Sequence, residues 1–192
     1  MRNTVAFASM AVCLFLGIGV GYPLATHSQK RRLEENKARI RRIHQEVWSN
    51  PDSKAASEAV DKFFAPDFVR HGWRGVTHGL PEFKGAVARW RGAFPDWSEH
   101  VEDIAAEGSL VVTRITTDGT QRGDLAAIPG LSPAIPAKGR TLRMTELNLW
   151  RIANGKVAEQ WDIYDNWGAW TQLGFIDPDR VCATQSVKGI KR

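Results

Sequence analysis

The chain has 192 residues, 43% of them hydrophobic, with eight Trp and eight Phe, enough apolar area for one sizeable core. Its net charge of +5 is unevenly placed: residues 30–42 hold seven basic and two acidic side chains, whereas residues 43–187 hold fifteen basic and nineteen acidic ones. A domain that is mildly acidic on its own excludes a nucleic-acid-binding surface.

Residues 4–21 are almost wholly apolar, and residues 3–29 contain no Lys, Arg, Asp or Glu. A buried core helix would show a polar face, and this stretch has none. It reads either as an uncleaved membrane anchor or as a cleaved signal peptide, within a leader covering residues 1–29. The protein is therefore expected at a membrane through one N-terminal helix, or exported. The basic arm over residues 30–42 suits anionic lipid headgroups and equally a solvated helix face. Cys13 and Cys182, the only cysteines, lie outside the central domain at 43–176, and a basic tail covers residues 177–192.

Leu33, Ile40, Ile43 and Val47 recur at helical spacing and predict a helix over residues 30–48. Asn50-Pro51-Asp52-Ser53 breaks it, and Asp52 or Ser53 can cap a second helix running to about Phe64. Residues 68–71 read as a short strand followed by a glycine-rich turn. A third helix over residues 80–94 puts Phe83, Val87, Trp90 and Phe94 on one face. Two hairpins follow, 97–107 with 110–120 about Gly108-Ser109, and 141–152 with 156–165 about Asn154-Gly155. The Gly/Pro-rich loop at residues 123–139 between them is long enough to act as a lid. Helices first and long antiparallel strands afterwards predict an α+β layout, a curved sheet covered by helices that enclose a pocket.

The last hairpin strand is read as carrying Val157, Glu159, Trp161, Ile163 and Asp165 on one face, with Asp162 on the other, solvated one. A carboxylate beside Trp161 and Ile163 sits at an apolar rim, where it becomes a base. Two roles therefore fit Asp165: general base, or cap of the short helix that follows. Glu146 shares a face with Met144, Asn148 and Trp150, and must be paired, protonated or facing a cavity. Arg114 is its natural partner, structurally or in catalysis. His71, between a strand and glycines, fits a proton shuttle or a hydrogen-bonded structural histidine. No H-x-H, H-E-x-x-H or cysteine pair predicts a metal, and no glycine-rich phosphate or dinucleotide loop predicts a cofactor.

The order of these elements, Phe94-Pro95-Asp96, I-P-A-K-G-R (residues 135–140), W-R-I-A-N-G-K-V (residues 150–157) and the closing W-x-x-x-D-x-x-G-x-x-x-Q-L-G (residues 161–174) resemble the SnoaL-like polyketide or ester cyclase family. The resemblance spans about residues 42–175. It implies the nuclear transport factor 2-like fold, a cone-shaped α+β barrel with a deep cavity. It also implies cofactor-free acid/base chemistry of the intramolecular aldol type on a small hydrophobic carbonyl compound, and pairing of two copies through the open sheet face. Asp165, Glu146 and His71 are the catalytic candidates on this basis, and Arg114, Gln121, Asn148, Trp150 and Trp161 the pocket-lining ones. Gln121 and Asn148 stand where many relatives carry His and Asp. A non-catalytic binding module, or a hydrolase or dehydratase using the same pocket, are the alternatives.

Overall fold

The computed structural model describes residues 26–72, 75–125 and 134–179. The apolar run at residues 4–21, both cysteines, Trp73, the middle of the expected lid and the basic tail from residue 180 onward lie outside them. Among the described residues no helix is long and apolar enough to cross a membrane.

Helix α1 (His27–Ile43) opens with a reciprocal capping box between Thr26 and Gln29 and buries only Ile40 and Ile43. It passes directly into a wider π-helical turn, His44–Trp48, closed by Ser49 N–H donating to His44 O at 2.9 Å. Such widened turns recur at functional sites. Here the turn buries His44, Val47 and Trp48 together. Helix α2 (Ser53–Phe63) is capped by Asp52, which accepts from the amides of Lys54 and Ala55. Strand β1 (Phe64–Gly72) follows, then a short β2 (Gly75–His78) where the sequence suggested only a glycine-rich turn. Helix α3 (Gly79–Ala93) lays its Phe83 and Val87 into the core.

The hairpins form as expected: β3 (Ser98–Glu107) with β4 (Leu110–Thr120), and β5 (Thr141–Ala153) with β6 (Lys156–Tyr164). Asn154 and Gly155 both take positive φ, the backbone that a tight two-residue turn requires. Helix α4 (Asn166–Gln172) ends the fold. The six strands run β2-β1-β6-β5-β4-β3, antiparallel except where β1 lies parallel to β6. The sheet is curved and does not close on itself. The core lies between its concave face and α1–α3, centred on Phe64, Phe68 and Phe83, whose rings meet at 4.7–4.9 Å.

The Phe94-Pro95-Asp96 motif joins these layers. Phe94 and Trp97 pack edge to face, and Asp96 accepts the Thr120 amide at 2.7 Å, tying the end of α3 to the end of β4. A Cβ on Gly119 would meet the Trp97 ring at 2.8 Å, so only glycine allows this approach. Behind the motif, buried Arg91 donates to the carbonyls of Trp48, Trp97 and Pro95.

Candidate active site

Strand β6 carries the main departure from the expected pattern. Ile152 pairs with Val157 but Arg151 pairs with Glu159, so Ala158 is an extra residue, a β-bulge. Side chains alternate on a strand, and one extra residue reverses which face each points to. Val157 faces inward, and beyond the bulge it is Gln160 and Asp162 that are buried. Ile163 is 73% exposed. Asp162, expected in solvent, is thus an interior acid.

The concave face, the π-turn and α3 surround a cavity of about 110 Å³. Its polar lining includes His44, Glu99, Arg70, Glu146, Asn148 and Gln160. Tryptophans 48, 90, 97 and 150 supply aromatic walls. Glu146, Asn148 and Trp150 come from one face of β5, as the alternation predicted. Trp150 Nε1 donates to Thr113 Oγ1 at 3.1 Å, and Gln160 Nε2 donates to Asn148 Oδ1 at 3.1 Å.

His44 was not singled out from the sequence. It is 1% exposed, and its Nδ1 lies 2.6 Å from Glu99 Oε2. The other oxygen of Glu99 accepts Trp97 Nε1–H at 3.0 Å. An ionised carboxylate only accepts, so Nδ1 carries a proton, and in the neutral ring Nε2 then keeps its lone pair. Nε2 is buried and has no hydrogen-bond partner. The ring stands edge-on to Trp150, with centroids 5.5 Å apart. This is a basic nitrogen held in orientation by a carboxylate, at the wall of an apolar cavity.

Glu146 is the opposite kind of group. Burial raises its carboxyl well above the ordinary value of 4.5, and the negative charges of Glu99 and Asp162 push it further, against Arg70 and the Thr117 hydroxyl. It keeps its proton to higher pH than an ordinary glutamate, and the protonated form can donate a hydrogen bond. Asp162 is also raised by burial, partly offset by Arg70, whose Nη2 donates to Asp162 Oδ2 at 2.8 Å. Arg70 Nε and Asp162 Oδ1 are buried without partners.

The remaining candidates lie elsewhere. Asp165 is an exposed helix cap: its Oδ1 accepts the Gly168 amide at 2.8 Å, outside the cavity. His71 is on the outer face of the sheet, stacked on Trp161 with centroids 4.9 Å apart and bonded through Nε2 to Glu159 at 2.8 Å. His71 and Arg151 hold the Glu159 carboxyl below its usual range. Trp161 is therefore an outer-face residue as well, displaced there by the bulge. Arg114 also points outward and pairs with Asp103 at 2.6 Å, not with Glu146, because the interior positions of β4 are Val111, Thr113, Ile115 and Thr117. Gln121 is 1% exposed but braces the loop, donating to the carbonyls of Ile135 and Pro136. Next to it, Leu125 pairs with Ile135 and reaches the cavity. Among the described residues no group of His, Cys, Asp and Glu could hold a metal ion.

A family model, SnoaL-like polyketide cyclase, matches residues 38–173. Solved structures share the architecture. A candidate SnoaL-like polyketide cyclase from Jannaschia sp. CCS1 superposes with a TM-score of 0.65 at 19% identity, covering 76% of this chain and 95% of its own. IdmH, a candidate polyketide cyclase from Streptomyces antibioticus, gives 0.57 at 27% identity, covering 72% and 98%. A ketosteroid isomerase-like protein from Catenulispora acidiphila, solved with trimethylamine, gives 0.54 at 16% identity, covering 70% and 92%. No curated protein matches the chain by sequence.

Proposed function

The chain belongs to the SnoaL-like polyketide cyclase family, and on that premise we propose that its cavity performs cofactor-free acid/base chemistry on a small, largely apolar carbonyl compound. The observation that carries this reading is the pairing of opposites in one cavity: an unpartnered His44 Nε2 backed by Glu99, and a Glu146 whose carboxyl is raised by burial. Environments that separate an acid from a base in this way are what proton abstraction next to a carbonyl requires.

In this mechanism His44 Nε2 takes a proton from the carbon beside the carbonyl, and Glu99 stabilises the imidazolium that forms. Glu146 donates a hydrogen bond to the oxygen where the enolate charge develops. In a cyclisation the enolate carbon then forms a carbon–carbon bond to a second carbonyl of the same molecule. That carbonyl's oxygen takes a proton, and the imidazolium returns to imidazole. Asn148 and Gln160, bonded to each other, orient the substrate.

The test is exchange of the C2 protons of ethyl benzoylacetate for deuterium, followed by proton NMR. Protein-dependent exchange supports the reading. Binding without exchange leaves the second reading, a small-molecule-binding module, which the amides of Gln121 and Asn148 favour at positions where many relatives carry His and Asp.

Two further expectations belong to this proposal. A homodimer is supported by the outer sheet face, where Val112, Leu147 and Ile163 are 44%, 49% and 73% exposed. Attachment to a membrane or passage through one is supported by the apolar run at residues 4–21 and the basic stretch after it.

A further inference from the structure

Among the described residues, the charged groups of the cavity are engaged except one. Glu99 has both oxygens occupied, by His44 and Trp97. Asp162 holds Arg70. Burial disfavours the charged form of Glu146. Arg89 lines the same cavity, is half-buried, and makes no ion pair or hydrogen bond among the described residues.

Its position is set by α3. Ala86, Arg89 and Trp90 all line the cavity, spaced three and four residues apart on one stripe of the helix. Arg89 therefore reaches the cavity from a rigid element. A guanidinium drawn partly out of water without an acceptor is unfavourable alone, and an arriving anion offsets that cost. Arg70, on strand β1, adds a buried, unpartnered Nε–H to the same cavity.

Size and charge narrow the ligand. A dry cavity of about 150 Å³ holds a benzene ring, so a cavity of about 110 Å³ that is open at its mouth accepts one ring with its substituent projecting outward. One unspent cation matches one negative charge. A phosphate monoester carries nearly two and needs more donors than a single guanidinium supplies. Planar bidentate pairing suits a carboxylate.

We propose that the cavity takes a monocyclic, largely apolar monocarboxylate, with its ring among the tryptophans and its carboxylate on Arg89. This rests on the acid/base reading of the cavity and specifies its substrate class.

The test is titration of the full chain with 3-phenylpropanoate, methyl 3-phenylpropanoate and phenyl phosphate by calorimetry, on the native protein and on Arg89→Met and Arg89→Lys. Met keeps a long apolar stem along the helix, and Lys keeps the charge; the melting temperature confirms that each variant is folded. The native protein is expected to bind the acid about tenfold tighter than the ester, a difference of about 1.4 kcal/mol. Arg89→Met should abolish that preference while leaving ester binding within about twofold, and Arg89→Lys should restore part of it. Equal or tighter binding of the ester, a preference that survives in Arg89→Met, phenyl phosphate as the tightest ligand, or binding of none of the three would each overturn the proposal. Ethyl benzoylacetate is neutral, so exchange of its protons without a carboxylate preference sinks this inference alone. A carboxylate preference without exchange sinks the acid/base reading alone.

Discussion

His44 Nδ1 and Glu99 Oε2 lie 2.6 Å apart although 55 residues separate them in the chain. The contact joins the π-turn to the first position of β3 beyond Ser98, and Glu99 N–H donates to Ser49 Oγ at 2.9 Å to fix the same junction. Two independent bonds therefore orient the imidazole before any ligand arrives.

Removing either partner should be costly to turnover and mild in structure. His44→Asn and Glu99→Gln are each expected to slow deuterium exchange by about a hundredfold, the usual worth of a positioned base. The double variant should be no slower than the worse single one, because the pair acts as a unit. Exchange kinetics with circular dichroism as a fold check measure this; additive losses would deny the pairing a role.

Glu146 makes stability depend on pH in a definite direction. Its folded carboxyl titrates above the ordinary 4.5, so between those two values the native state holds a proton that the unfolded chain has released. The stabilising contribution is whole below 4.5 and is lost as pH rises through the raised value, by up to about 1.4 kcal/mol per pH unit. Glu146→Gln stays neutral throughout. Its melting temperature should exceed that of the native protein at pH 8, with the gap closing toward pH 4. Asp162 pushes the same way but is present in both proteins. A gap that widens toward low pH would contradict the assignment.

Asp165 should matter for folding and not for chemistry. Asp165→Ala removes the cap on the Gly168 amide and should cost about 1 kcal/mol, with exchange per folded molecule unchanged. Gly168→Ala should be worse, since its Cβ would lie 2.0 Å from the Asp165 carboxylate. Denaturant melts and exchange rates on the two variants separate the roles. Loss of exchange in a folded Asp165→Ala would return this residue to the site.

Ile163 tests the outer face. Sedimentation of the native protein is expected to give a dimer, and Ile163→Glu a monomer with its cavity chemistry intact. An unchanged mass would place the association elsewhere or exclude it.

Most of the fold was legible because its signals are local. The Asp52 cap, the Asn154-Gly155 turn and the alternation of β5 each depend on a few neighbouring residues, and they put Glu146, Asn148 and Trp150 on the correct wall. The rest depended on register and long-range pairing. Nothing local marks Ala158 as a bulge, so Asp162 was assigned to solvent, and Trp161, with Asp165 beyond it, to the cavity. His44 lay in an ordinary run of helical charges, and only its meeting with β3 distinguishes it. Arg114 shared a strand face with Leu110 and Val112, which read as interior but are 39% and 44% exposed.

The bulge at Ala158 also means that strand composition alone does not decide what this cavity can hold. Were Ala158 drawn into regular pairing instead, so that every partner downstream slid by one residue, Glu159, Trp161 and Ile163 would turn inward, and Gln160, Asp162 and Tyr164 outward. Arg70 would lose its carboxylate and Asn148 its amide partner. A one-residue slip in pairing therefore separates this polar chamber from an oilier one, a short path by which descendants of one scaffold could diverge in the molecules they accept.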